Sequence, residues 1–251
     1  MSWSYSKFSS NKSDWQKHKI GWEAHTVNPK KAKFLVDGYL LLLKSLGLDF
    51  ILNQERVKNS TVLDIGSGAG YIGHALFKTG FSVLSTEHTK QGVAFLKEQN
   101  PELDVELFDI ANCKSIIDQK FDLIICRELY PFTRVNCFES QLESLENILS
   151  YLNKEGVLLL IGSTISFPHC ANYKLLLETL NKSNKYEYLH KYAELFVSRQ
   201  FFMFFGPLLV RNLSRLLALV IKFIVNPLLN KKYADIMIYV IKNKSIDVEI
   251  K

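Results

Sequence analysis

Between residues 61 and 161 short apolar runs alternate with amphipathic stretches, the pattern of a parallel sheet covered by helices. Residues 61–65 (TVLDI) read as a buried strand, followed by glycines and a helix over 70–79. A second strand is predicted over 81–86 and a second helix over 91–99, stopped by Asn100 and Pro101. Residues 104–108 suit a third strand, and 121–126 (FDLIIC) form the clearest buried strand of the chain. Phe138, Leu142, Leu145, Leu149 and Leu152 then recur at three- and four-residue spacing, one apolar face of a helix. A fifth strand follows at 156–161 (GVLLLI). Such alternation with short connections is what right-handed βαβ crossovers require.

Outside this stretch the pattern predicts a helix over 36–52, another over 173–180 and a late strand over 233–241 (YADIMIYVI). There is no internal repeat and no low-complexity linker, so one domain spanning 1–251 is expected. Its parts are N-terminal helices or a lid over 1–55, a core over 60–162, and an acceptor side with closing strands over 163–251. A length of 251 residues is enough for one sizeable α/β core.

Composition changes this picture little. An apolar fraction of 47% with 22% charged residues excludes a disordered chain. Cys113, Cys126, Cys137 and Cys170 are scattered without a CxxC pair, which argues for a reducing compartment and against structural zinc. The first fifteen residues hold no apolar run of a secretory signal, so a cytoplasmic address is expected.

Charge adds a pattern. Residues 1–33 carry seven Lys against Asp14 and Glu23, and residues 199–251 carry nine Lys or Arg against three acids. The stretch between them has 15 basic and 20 acidic residues. Basic ends around an acidic middle suit an anionic partner, or simply keep exposed ends soluble.

Candidate chemistry centres on TVLDIGSGAGYIG, residues 61–73. Glycines at 66, 68 and 70 allow a sharp strand-to-helix turn and close approach of a ligand. The crevice beyond the carboxyl ends of parallel strands is where open α/β sheets bind ligands. Gly68, Gly70 and Gly73 formally satisfy GxGxxG, the dinucleotide fingerprint. That fingerprint, however, starts at the glycine directly after the strand, which is Gly66, and its third glycine would fall on Tyr71. Asp64 would also repel a pyrophosphate and suits a cation instead.

VLDIGSGAG resembles the first motif of the class I S-adenosylmethionine-dependent methyltransferases, in which an acid precedes a GxGxG loop. The resemblance covers about residues 60–162 and implies an α/β, Rossmann-like, doubly wound fold. The expected sheet is mainly parallel and seven-stranded, with helices on both faces. It implies S-adenosyl-L-methionine as cofactor, held by Asp64, Gly66, Ser67, Gly68 and Gly70. Glu87, 17 residues past Gly70, stands where the family's acid accepts the ribose hydroxyls, with His88 flanking it. Asp109, with Ile110 beside it, matches the acid that meets the adenine amino group.

The acceptor would lie beside the ends of strands four and five. Residues 126–132 (CRELYPF) lack the NPPY-type signature of enzymes that methylate exocyclic amines of bases or glutamine amides. Arg127 and Glu128 either pair with each other and order the loop, or serve the ligands. In the second case Arg127 holds the cofactor or an anionic group of the acceptor, and Glu128 or Tyr130 faces the acceptor. His169, after strand five, is the best-placed general base for a hydroxyl acceptor. The sulfonium is already an activated donor, so alignment supplies much of the acceleration. No grouping suggests a metal site.

Residues 201–225 (FFMFFGPLLVRNLSRLLALVIKFIV) stand apart. Arg211, Arg215 and Lys222 interrupt the run, so a membrane-spanning helix is not expected. From Pro207 onward these cations and Ala218 share one stripe of an otherwise apolar helix. The segment suits a membrane-interface helix, a lid, a homodimer contact or a helix buried against the sheet.

The expected function is methyl transfer to a small, lipophilic or anionic acceptor, at oxygen. The partners expected are that small molecule and a peripheral membrane contact through 201–225, with no nucleic acid. RNA or protein methylation is the alternative among enzymes, and a non-catalytic S-adenosylmethionine-binding or membrane-surface module the alternative outside them.

Overall fold

The computed structural model describes residues 29–47, 54–110, 118–135, 137–163, 173–183, 185–193 and 236–244, with positions 216, 220, 223 and 224. The chain divides into two compact units, one of residues 1–117 and 197–207, the other of 118–196 and 208–251. Seven strands make up the sheet, mixed in direction and flanked by helices.

The first unit contains helix α1 (Pro29–Ser45) and the short α2 (Gln54–Asn59), then β1 (Thr61–Ile65), α3 (Tyr71–Lys78), β2 (Ser82–Glu87), α4 (Lys90–Gln99) and β3 (Asp104–Leu107). Its strands run in the order β3-β2-β1, all parallel, with Leu63 beside Leu84 and Leu84 beside Asp104. Val62, Leu63, Ile65 and Val83 fill its centre, and Leu76 and Leu96 pack from the helices. The apolar pattern predicts α1 over 36–52, but it starts at Pro29 and stops at Ser45. Gly47, with φ +74, closes it by donating its N–H to the Lys44 carbonyl, a left-handed stop that glycine allows.

The second unit contains β4 (Phe121–Arg127), the short α5 (Tyr130–Arg134), α6 (Phe138–Ser150), β5 (Leu152–Ser163), α7 (Tyr173–Lys182), β6 (Tyr186–Ala193) and β7 (Ile236–Asn243). Its order is β4-β5-β7-β6: β4 and β5 are parallel, while β7 runs antiparallel to both β5 and β6. The central strands are apolar along their middles, with Leu123–Cys126, Val157–Ile161 and Ile238–Ile241 buried.

Two expectations shift here. Leu152, counted on the helix by its spacing, opens β5 and pairs with Phe121. The buried face of α6 also centres further round the helix, on Gln141, Ser144, Leu145, Ile148 and Leu149. Gln141 and Ser144 are buried because they satisfy themselves on the backbone: Nε2 donates to the Val135 carbonyl at 2.6 Å and Oγ to the Ser140 carbonyl at 2.8 Å. The helix expected near 207–225 lies almost wholly outside the described residues, as do Arg211, Arg215 and Lys222. Leu216, Val220, Phe223 and Ile224 are described and exposed. Among the described residues no helix is long and apolar enough to cross a membrane.

Candidate functional site

Polar residues gather at or just beyond the carboxyl ends of β1, β2 and β3, among them Asp64, Glu87 and Asp109. Five residues form the turn from β1 into α3, and Gly66, Gly68 and Gly70 all take left-handed φ values of +68, +59 and +75. Gly70 is constrained twice. A Cβ there would stand 2.2 Å from Leu96 Cδ1 and 2.8 Å from Asn100 Nδ2, beyond the cost of the backbone angle. Asn100 uses the space, donating its amide to the Ala69 carbonyl at 3.1 Å and so holding the loop from α4.

Ser67 ties the loop to both strands. Its Oγ donates to the Asp64 carbonyl at 2.7 Å and accepts from the Thr86 N–H at 3.2 Å, while its own N–H donates to the Thr86 carbonyl at 2.9 Å. Glu87, 2% exposed at the end of β2, accepts the Gly68 N–H on Oε1 at 2.8 Å. Its Oε2 lies 3.2 Å from Nδ1 of His88, a side chain one quarter exposed. The Phe108 N–H donates to the Glu87 carbonyl at 2.9 Å, which brings Asp109 and Ile110 to the same end of the sheet. Asp109 is half-buried and Ile110 buried.

Asp64 is only 3% exposed, and its Oδ2 has no hydrogen-bond partner. Burial pushes its pKa up to about 7; polar contacts from Ser67 and Gly73 offset this in part, and the nearby Glu87 charge adds to it. Asp64, Gly66, Ser67, Gly68, Gly70, Glu87, His88, Asp109 and Ile110 therefore all belong to the first unit. The groups on offer there are hydrogen-bond acceptors and negative charges. They fit a cation bearing hydroxyls and do not fit a pyrophosphate.

In the second unit Arg127 ends β4, Glu128 follows and Tyr130 opens α5. Glu128 has φ +53, the only positive φ at a non-glycine among the described residues. Its N–H donates to the Ile161 carbonyl at 2.7 Å, which pins that strained residue to the end of β5. His169 lies outside the described residues. Among the described residues no group of three His, Cys, Asp or Glu could hold a metal.

A family of methyltransferase domains matches residues 56–201. The chain belongs to the class I S-adenosylmethionine-dependent methyltransferase family. A ribosomal protein L11 methyltransferase of Lactobacillus gasseri is 36% identical over 117 residues, covering 45% of this chain and 35% of that protein. The chain thus spans about a third of the length of that relative. The solved plantazolicin methyltransferase BpumL, in complex with a triazolic desmethylPZN analog and SAH, superposes with a TM-score of 0.60 at 16% identity, covering 95% of this chain and 94% of that one. An S-adenosylmethionine-dependent methyltransferase of Clostridium acetobutylicum gives a TM-score of 0.55 at 12% identity, covering 92% and 99%. At such identities the likeness is one of fold.

The sequence pattern passes over several residues that shape the site of this chain. Gly73 sits inside α3, where glycine costs about 1 kcal/mol relative to alanine. A Cβ there would stand 2.4 Å from Ser85 Oγ and 2.9 Å from Asp64 Oδ2, so Gly73 makes room for both polar groups. Thr86 Oγ1 donates to the Asp64 carbonyl at 3.3 Å. The signals are a glycine in a helix interior and a Ser-Thr pair at the buried end of a strand.

Proposed function

We propose that this chain transfers the methyl group of S-adenosylmethionine to a small, lipophilic or anionic acceptor, at oxygen. The observation that carries the reading is the row of buried carboxylates, Asp64 and Glu87, around a glycine loop that Glu87 itself holds through Gly68. In this reading Glu87 accepts the ribose hydroxyls and His88 flanks them, Asp64 compensates the ligand's positive charge, and Asp109 with Ile110 meets the adenine. The bound cofactor supplies an electrophilic methyl on sulfur. The chain's own residues hold donor and acceptor in line and exclude water.

A hydroxyl acceptor needs a group to take its proton. Glu128 is the strongest such group among the described residues, because a strained backbone at a strand end is retained where the side chain has a fixed task. In the same reading Tyr130 serves the acceptor and Arg127 an anionic group of a ligand; His169, outside the described residues, is assigned the role of general base by its chemistry alone. A protein acceptor is the second reading, favoured by the L11 methyltransferase to which the chain is 36% identical over 117 residues.

The test is calorimetry with S-adenosylhomocysteine, followed by transfer of labelled methyl groups to aliphatic and aromatic hydroxy and carboxylic acids, with ribosomal proteins in parallel. Label on a small acid, lost in Glu128→Gln, supports the first reading. Label on protein selects the second. Absence of cofactor binding overturns both.

A further inference from the structure

The far end of the first unit holds a second hollow. Leu40, Leu41 and Lys44 of α1, Val57 and Lys58 of α2, Thr79 at the end of α3 and Phe81 before β2 line a cavity of about 360 Å³. α2 leads into the start of β1 and Phe81 into the start of β2, so the cavity lies at the amino ends of these strands. Glu87 and Asp64 lie at their other end, roughly 15–20 Å away at the rise of a strand of this length. This hollow is therefore not part of the cofactor cleft.

Its chemistry is two-sided. Leu40, Leu41, Val57 and Phe81 make the walls apolar. The Thr79 hydroxyl is already committed to the Leu76 carbonyl at 2.6 Å. The polar groups left at the lip are the ammonium groups of Lys44 and Lys58, both exposed and both without an acidic partner among the described residues. Each occupies the last turn of its helix, where the helix dipole favours a cation. That accounts for the sign of the charges and not for an apolar hollow between them. A volume of this size falls within the range of small-molecule pockets, which combine apolar walls with a few oriented polar groups.

We infer that this cavity is a second ligand site, for a small amphiphile whose apolar chain fills the space between α1 and α2 and whose anionic head meets Lys44 and Lys58. Carboxylate and phosphate heads share the required chemistry. Long lysine stems lie along apolar surface while their charged ends reach the head group. The site is independent of the methyl-transfer reading, since it uses no residue of the cofactor cleft.

The experiment titrates the full chain with decanoate, decyl phosphate, decanol and inorganic phosphate by calorimetry, and follows the methyl resonances of Leu40, Leu41 and Val57 by NMR. Decanoate and decyl phosphate are expected to bind one per chain and to shift those three residues, about tenfold more tightly than decanol. The stronger of the two anions tells a fatty acid from a phosphorylated amphiphile. Inorganic phosphate alone should not bind. Lys44→Gln/Lys58→Gln should bring the anions down to the affinity of decanol, with the melting temperature little changed. Val57→Trp should fill the cavity and block the amphiphiles, and Leu41→Phe tests the same point if the tryptophan variant does not fold. Equal binding of decanol and decanoate, binding that survives a filled cavity, or no binding at all would overturn the proposal.

Discussion

The two units of this chain bury different things. In the first, the strand ends are polar: Asp64, Ser85, Thr86 and Glu87 are all buried there, and Asp64 and Glu87 are the buried carboxylates among the described residues. In the second, β4, β5 and β7 are buried and apolar along their centres, and the buried polar residues Thr133, Gln141 and Ser144 lie on helices instead. The polar groups of the first unit are thus tied to one another at the strand ends, Ser67 to Asp64 and Thr86, and Gly68 to Glu87. In the second, the polar residues at that end of β4 are Arg127, its last residue, and Glu128 just beyond it. A cofactor shared by many reactions suits rigid strand ends. In the proposed reading the acceptor groups are carried beyond the strand ends, where they can change without touching the apolar core.

The largest expected effect is on pH. Asp64 carries a native pKa near 7 against an ordinary value of 3.8, so the folded state binds the extra proton. Stability is therefore full below about pH 4 and falls as pH rises through about 7, by roughly 4 kcal/mol for a shift of this size. Denaturant titrations at several pH values measure it, and Asp64→Asn should remove this part of the slope. A positively charged ligand favours ionised Asp64, so affinity for S-adenosylmethionine should rise between pH 6 and 8 and release a proton. A flat stability profile would remove the distinction between the units.

Next comes Gly70→Ala, which combines a left-handed φ with two close contacts and should cost about 3 kcal/mol. The comparison in the second unit is Gly162→Ala, whose Cβ would stand 2.0 Å from the Tyr173 hydroxyl. Tyr173→Phe should relieve part of that clash, whereas nothing short of rebuilding Leu96 and Asn100 relieves Gly70. Melting temperatures of the single and double variants decide this.

Glu87→Ala should weaken S-adenosylhomocysteine binding by about 100-fold, the loss of hydrogen bonds to a charged group. Calorimetry checks it, and an unchanged Kd would detach Glu87 from the cofactor. Gly73→Ala should cost about 2 kcal/mol by crowding Ser85 and Asp64, with part of it restored by Ser85→Ala. The smallest effect is at Glu128, where Gly in place of Glu releases a positive φ worth about 1 kcal/mol. That variant should be slightly more stable and methylate more slowly, which melting and turnover read together.

Much of the first unit was legible along the chain, for reasons visible at particular residues. The run 62–65 is apolar except for Asp64, and an acid on a buried strand needs a ligand or a partner to explain it. Glycines spaced at 66, 68 and 70 leave few other turns. In the second unit β6 went unread, although Tyr186, Tyr188 and Tyr192 alternate with charged residues in the two-residue period of a strand. Leu152 was misread because its spacing suits the end of a helix as well as the start of a strand. Spacing alone does not separate the two, and only the pairing with Phe121 decides it.

Local order and chemical type were therefore settled by the sequence itself: apolar runs of strand length, helix stripes between them, a glycine loop, and acids at the strand ends. Those properties depend on neighbours along the chain. Tertiary structure alone decided that Gly73 yields its Cβ space to Ser85 and Asp64, and that burial, more than the Glu87 charge, lifts the Asp64 carboxyl. It also decided that Glu128 bends back to reach Ile161. Each of these depends on atoms brought close from distant positions, and at separations of two to three ångströms sterics and desolvation outweigh any local preference.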